Sequence, residues 1–568
     1  MGKLSKIFSI GILSILAIEV HSSIRSSEQA LQVTYRMLSQ QASHGVLGVK
    51  NAPVCNNLKI IKQSDAYYVV NTGEGFVLVS TDDQMPEILG YSNQGEYDEA
   101  NIPPALRMWL DSYDSVFRSW QKVQSASNTS LRINEKYSPK VHVLDSVAPL
   151  IVTRWGQGKP YNIFCPQDCN GHRCPTGCVT TALAQIMNYW KWPQQGEGEQ
   201  TLEYVCKEDS SYTQSYTVNF DTTYHWEQMR EEYRSFDTMD VSVVAVATLM
   251  YHLGVAQDMH YTNDGTGVSY IEEREKSFPA LFSHFNYDTN VQILAKDYID
   301  MDSLECILHE ELMRNRPIFV SGNDSIAGGH AFVCDGYEDH YFHFNWGWNG
   351  MSDGWFRLNC LSPSPYNYNF NFNSFVQFCI GLQPNNANST PVHIGQSIVI
   401  DSLNIPSGTV HVGDPISVNI CRLCHMGLTK YDKLLGLVIS SLQYPTVTWL
   451  HQLKLDLEQA SFYGGEFGGW KCNFTLPNII PHGICKIELV YQNEELKWIP
   501  VPSLKRDITT FTITDGLQIA EPITIYTITG QRVHQLDFWN NFEDIHNLNL
   551  HPGVYIMQQG CETFKIEL

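Results

Sequence analysis

Cys174-Pro-Thr-Gly-Cys178-Val-Thr-Thr-Ala-Leu-Ala-Gln-Ile-Met-Asn-Tyr-Trp190-Lys-Trp-Pro193 sets the terms for the rest of the chain. Val179, Ala182, Leu183, Ile186, Met187 and Trp190 recur at i, i+3, i+4, i+7, i+8 and i+11, which is one apolar face of an α-helix. Pro175 and Gly177 break regular structure just before it, and Pro193 stops it. Cys178 is therefore expected at the helix N-terminus, where unpaired N–H groups and the positive dipole end lower a thiol's pKa. A cysteine so placed can equally be buried or disulfide-bonded, and only a matching base distinguishes a nucleophile from either.

Gly328-Gly-His330-Ala-Phe-Val-Cys-Asp-Gly336-Tyr-Glu-Asp-His-Tyr-Phe-His-Phe-Asn345-Trp-Gly-Trp-Asn-Gly350 supplies a candidate. Two apolar-rich strands flank a turn near Glu338 and Asp339, and folding about that turn sets His330 across from roughly Asn345 to Gly347. A general base needs a group that fixes its tautomer, and Asn345 can accept from the imidazole N–H while Trp346 shields that bond from water. His340 falls at the turn, and His343 has no partner that this pairing predicts. Gly328 and Gly329 leave room for a peptide backbone. Trp155-Gly-Gln157-Gly-Lys-Pro-Tyr-Asn162 precedes Cys178 by about twenty residues. The Gln157 amide is a candidate donor to a developing oxyanion.

Lys plus Arg total 37 against 60 Asp plus Glu, a net charge of -23 that argues against nucleic acid as a partner. Length calls for several domains. Residues 1–23 read as a signal peptide: Lys3 and Lys6 precede an apolar run, Ile7 to Ile18, too short to span a bilayer. Residues 24–123 read as a small α+β unit. Ser26 and Ser27 can cap a helix near Glu28, a hairpin pairs the strand from Ala66 with that from Phe76, and a helical pattern follows Pro103-Pro104. The polar stretch 124–147 reads as a linker open to proteolysis. Residues 148–384 hold the candidate chemistry. Alternation in 390–512 suggests a β-sandwich, and 515–568 reads as further short strands. The fold class expected is α+β.

The 15 cysteines are an odd number, so at least one is unpaired if all are retained. Cys165, Cys169, Cys174 and Cys178, with His172 among them, imitate a zinc cluster, but spacings of three, four and three residues do not fit CxxC knuckle pairs. Disulfides or free thiols among the first three are the favoured reading, and no metal or cofactor is expected.

Taken together, the Gln157, Cys178, His330 and Asn345-Trp-Gly-Trp-Asn-Gly segments, with Ser352-Asp-Gly-Trp-Phe-Arg-Leu, resemble the streptopain family of papain-like cysteine proteases over about 148–383. The resemblance implies Cys178 as nucleophile, His330 as base, Gln157 in the oxyanion hole, and Asn345 and Trp346 beside the histidine. It also implies substrate-backbone contacts from Gly329 and Thr266, although the Thr266 loop and the Cys165–Cys174 insertion depart from the family pattern. Gly75-Phe-Val-Leu-Val-Ser-Thr-Asp-Asp and Ile88-Leu-Gly-Tyr-Ser look like that family's inhibitory propeptide, implying latency until the linker is cut. Ile525-Tyr-Thr-Ile-Thr-Gly530 and Leu550-His-Pro-Gly-Val-Tyr-Ile556 are similar to type IX secretion sorting domains, implying contact with secretion machinery; Glu567 departs from their usual basic end.

The expectation is a secreted or cell-surface endopeptidase made as a zymogen, acting on protein or peptide substrates through a thioester. A transglutaminase-type acyltransferase and an inactive surface-binding protein are the alternatives.

Overall fold

The computed structural model describes residues 24–43, 57–126, 145–269, 272–299, 301–324, 328–360, 374–386 and 388–390, and the strands between 398 and 567 with their adjoining turns. The signal-peptide reading and most of the linker lie outside these residues. Among the described residues no helix is long and apolar enough to cross a membrane.

The N-terminal unit is a four-stranded sheet between two helices. Helix α1 (Ser27–Ser43) begins with a reciprocal cap: the Gln29 N–H donates to Ser26 Oγ at 3.2 Å, and the Ser26 N–H donates to Gln29 Oε1 at 2.7 Å. Strands β1 (Lys59–Gln63), β2 (Tyr67–Asn71), β3 (Phe76–Ser80) and β4 (Ile88–Ser92) pair antiparallel in order. Every residue of β2, β3 and β4 is buried, because both faces are covered. Tyr68, Val70, Val77 and Val79 pack with Ala30 and Val33 of α1. Tyr67, Val69, Phe76 and Leu78 pack with α2 (Pro104–Ala126), which contributes Leu106, Trp109, Leu110, Tyr113 and Phe117. The expected capped helix, hairpin and amphipathic helix are all present, and α2 runs three residues past the expected edge at 123.

The second unit begins with α3 (Cys178–Trp190), then the hairpin β5 (Glu199–Val205) and β6 (Thr213–Asn219), then α4 (Val241–Ala256) and α5 (Phe278–Phe285). Strand β7 (Gln292–Ala295), α6 (Met301–Met313), β8 (Ile318–Asp324), β9 (Gly328–Glu338), β10 (Tyr341–Asn345), β11 (Gly354–Phe356) and β12 (Ser374–Ile380) follow.

These strands do not form a sheet of their own. One ten-stranded sheet runs β1-β2-β3-β4-β11-β10-β9-β8-β12-β7, so the N-terminal unit extends the sheet of the second through the β4–β11 pair. Gly354 lies opposite Ser92 there, and a Cβ on Gly354 would stand 2.3 Å from the Tyr91 carbonyl oxygen. The Ser92 hydroxyl donates to the Asp353 carbonyl at 2.6 Å, and the Ser352 N–H donates to the Gln94 carbonyl at 2.8 Å.

The core is shared as well. Trp109 of α2 packs on Phe332 and Phe344, at 6.1 and 4.7 Å between ring centroids. Burying so many aromatics stabilises this junction by many kcal/mol before its entropic costs, at about 25 cal/mol per Å² of apolar surface. Along β9, Ala331 and Val333 face the core containing α3, while Phe332 and Cys334 face the core containing α2.

Among the described residues beyond 398 every regular element is a strand, and the expected alternating segments appear as strands. A sheet of β13 (Ile398–Asn404), β15 (Pro415–His425), β18 (Phe462–Tyr463) and β19 (Trp470–Thr475) lies across a core from a second sheet. The second sheet contains β14 (Gly408–Val410), β16 (Leu434–Ser441), β17 (Val447–Lys454), β20 (Gly483–Gln492), β21 (Trp498–Pro500) and β22 (Thr510–Ile513). A four-stranded antiparallel sheet of β23 (Ile523–Thr527), β24 (Arg532–Leu536), β25 (Val554–Gln559) and β26 (Glu562–Glu567) ends the chain.

Candidate active site

Helix α3 starts at Cys178, as its apolar period predicts. Gly177 occupies the cap position with φ 89° and ψ 150°, a conformation that favours glycine, and no side chain caps the helix. A Cβ at Gly177 would also meet Met259 Cε at 2.5 Å and the Thr266 carbonyl oxygen at 2.9 Å. The loop carrying Thr266 therefore lies directly against the residue before the thiol. Thr266 itself is buried.

Cys178 is partly buried, and its sulfur receives the backbone N–H groups of Ala331 and Val179. Burial nonetheless outweighs those dipoles and, with Glu273 nearby, pushes the thiol up to about 11. This differs from the depressed pKa expected at the helix start: desolvation of the thiol against the peptidase core dominates the helix end.

His330 lies on β9, half-buried, next to Ala331 and opposite Gly322 of β8. It has the strand parity of Phe332, whose ring packs on Trp109 of α2. Gly329 precedes it, exposed and opposite Asn323.

The β9–β10 register differs from the expected one. Asn345 pairs with Val333, and the turn is Asp339-His340, both with positive φ. A bulge between His343 and Phe344 shifts the ladder by one residue, an offset that residue type does not announce. The same bulge gives His343 a partner that the sequence reading denied it. Asp335, the residue bypassed by the ladder, meets His343 Nδ1 at 2.6 Å. His340 contacts Glu305 at 2.7 Å.

The Asn345 side chain is buried and fully engaged. Its Nδ2 donates to the Thr153 carbonyl at 2.8 Å, and its Oδ1 accepts from Gln185 Nε2 and the Gly347 N–H, both at 3.0 Å. Trp346 is buried too, its indole donating to the Ser352 carbonyl at 2.8 Å and its ring 4.8 Å from that of Phe332. The Gln157 carbonyl accepts from the Thr176 N–H at 2.9 Å, two residues ahead of Cys178, and its side chain is half-buried.

Gln185 was not singled out from the sequence. Its Oε1 accepts from Thr153 Oγ1 at 3.0 Å and the Trp155 N–H at 3.2 Å, while its amide nitrogen holds Asn345. One buried amide on α3 thus ties the Gln157 loop to the Asn345 loop. Its position on the apolar helix, about two turns past Cys178, was the available signal.

A cavity of about 500 Å³ lies beside this network, lined among others by Gln94, Thr153, Arg154, His343, Asn345 and Asp353.

A helix bearing a thiol at its head, set against a sheet strand bearing an imidazole, defines a papain-like cysteine peptidase, here with an N-terminal domain built into its sheet. Residues 155–356 match the Peptidase C10 family, and residues 22–117 match the Spi protease inhibitor family. The chain is 30% identical over 336 residues to streptopain of Streptococcus pyogenes, covering 56% of this chain and 80% of that one. It is 34% identical over 314 residues to the thiol protease/hemagglutinin PrtT of Porphyromonas gingivalis, covering 53% of this chain but only 35% of that longer protein. The prointerpain A fragment of Prevotella intermedia aligns with 31% identity and a TM-score of 0.47, covering 57% of this chain and 98% of the fragment. The chain belongs to the Peptidase C10 family.

Proposed function

We propose that this chain is a secreted cysteine endopeptidase made as a latent zymogen. The observation that carries the reading is the packing of α3, which has Cys178 at its head, against β9, which bears His330. In the active form the Cys178 thiolate attacks the substrate carbonyl and His330 protonates the leaving amine. The Gln157 amide and the α3 N-terminus stabilise the oxyanion, and water then clears the thioester. Asn345 and Trp346 orient and shield the imidazole, while Gly329 and the Thr266 loop bind substrate backbone.

Latency follows from the shared sheet and core. Helix α2 covers the face of β9 that His330 shares with Phe332. Cutting within about 122–148 would free the N-terminal unit. The proposed organisation is prodomain 24–123, linker 124–147, peptidase 148–384, sandwich 390–512 and a sorting domain 515–568 that addresses the secretion machinery.

The test is labelling of matured protein by the epoxide E-64, with peptide cleavage measured in parallel. Labelling and cleavage that both vanish in Cys178→Ala support the reading. Cleavage that survives in that variant overturns it, and product found only as amine-transfer adducts replaces hydrolysis by acyl transfer.

A further inference from the structure

Two thiols meet outside this site, on the insertion that departs from the family pattern. Cys169 is half-buried on that insertion, and Cys206 is buried just past β5. The Cys169 N–H donates to Cys206 Sγ at 3.2 Å, and both sulfurs and a Glu208 carboxylate oxygen lie within 4.8 Å of one another. Cys206 Sγ is 3.2 Å from Glu208 Oε2.

The pair is asymmetric. Burial raises the Cys206 thiol, but the Cys169 side chain and N–H outweigh it and hold Cys206 below the ordinary thiol range. The hydrogen bond that its S–H donates to Cys206 and burial push Cys169 up to about 11. The neighbouring Cys165 and Cys174 are both buried thiols with raised pKa.

We propose that Cys169 and Cys206 form a redox pair that closes to a disulfide. The oxidant is an external disulfide, RS–SR. Cys206, the lower-pKa thiol, loses its proton first and takes up the Cys169 proton as Cys169, the more accessible member, attacks one sulfur; the first RS leaves with the proton that Cys206 released. Cys206 then attacks the Cys169 sulfur of the mixed disulfide, and the second RS leaves with the Cys206 proton. The pair gives up two electrons and two protons, and the external disulfide becomes two thiols. The sulfurs, within 4.8 Å of each other, close to bonding distance by side-chain rotation in this step.

The closed loop contains all of α3 and therefore Cys178. The cross-link anchors the segment that leads into the nucleophile onto the β5–β6 hairpin, leaving the Cys178 sulfur untouched.

The full chain is treated with excess oxidised glutathione, blocked with iodoacetamide, digested without reduction and mapped by mass spectrometry. The expected result is one cross-linked species joining the Cys169 and Cys206 peptides, which splits into two after dithiothreitol. Reduction should lower Tm by roughly 5–10 °C, and should leave the Tm of Cys206→Ser unmoved. Recovery of both cysteines as blocked thiols after oxidant overturns the proposal. So does a glutathione adduct that never resolves, a link from either residue to Cys165 or Cys174, or stoichiometric zinc that protects both thiols from blocking.

Discussion

Cys178 heads α3, which packs on β9, and the N–H dipole of Ala331 there, one residue from His330, favours the Cys178 thiolate. The same sulfur is desolvated enough that this donor does not make it a thiolate. Two opposing effects therefore act on one atom, and burial is the larger.

That balance predicts slow alkylation. With the thiol pushed up to about 11, the thiolate fraction at pH 7 is on the order of 10⁻⁴, against a few per cent for an unperturbed cysteine. Iodoacetamide labelling of the Cys178 peptide in the folded uncut chain should be about 10²-fold slower than in the urea-unfolded chain. Equal rates in the two forms would refute the burial argument.

The β4–β11 pair predicts a substitution that separates the two states. Gly354→Ala brings a Cβ against the Tyr91 carbonyl and Ser92 Cα, at 2.3 and 2.9 Å, atoms that only the uncut chain holds in place. The uncut chain should lose about 1–3 kcal/mol and mature faster, whereas matured protein should keep its Tm. Denaturant unfolding of both forms checks this, and equal destabilisation of the two would show that the clash lies elsewhere.

Gln185 predicts a loss that leaves the thiol and imidazole in place. In Gln185→Leu the Trp155 N–H, Thr153 Oγ1 and the Asn345 amide lose a buried partner together. Leaving such groups unpaired costs about 2–4 kcal/mol. The Gln157 and Asn345 loops should also lose register, lowering kcat about 10-fold or more. A variant with full kcat would remove Gln185 from any positioning role.

Much of this was readable in the sequence because it rests on local periodicity. The apolar face from Val179 to Trp190 placed Cys178 at a helix start, and Gly177 before it marked a backbone that favours glycine. Apolar runs on either side of turn residues placed β2, β3, β9 and β10. What could not be read was set by long-range pairing. The β9–β10 bulge moved Asn345 opposite Val333 and gave Asp335 to His343. Fusion of two units into one sheet through Ser92 and Gly354 has no local signature, since a two-unit sheet and two separate sheets share the same strand patterns. The thiol's raised pKa was equally hidden, because it arises from burial in the tertiary core rather than from the helix end.

Asp353 predicts how the uncut chain responds to pH. Its carbonyl oxygen accepts from Ser92 at the junction, and its carboxylate accepts from the Trp346 N–H at 2.9 Å. Burial pushes the carboxyl up to about 7, against the pull of His343 and the Trp346 N–H. His343 is itself raised: burial lowers it, but Asp335 and Asp353 outweigh burial. An unfolded aspartate ionises near pH 4, so between about pH 4 and 7 the folded chain binds the extra proton. Stability from this group is therefore greatest in acid, falls as pH rises through 7 and is flat above. His343, also raised, acts in the same direction. Asp353→Asn keeps an acceptor for the Trp346 N–H and removes the ionisation. The variant should match the parent near pH 4 and exceed it by about 1–3 kcal/mol at pH 8, measured by denaturant unfolding of the uncut chain. A stability difference independent of pH would mean that Asp353 is ionised throughout and that the junction carries no such sensitivity.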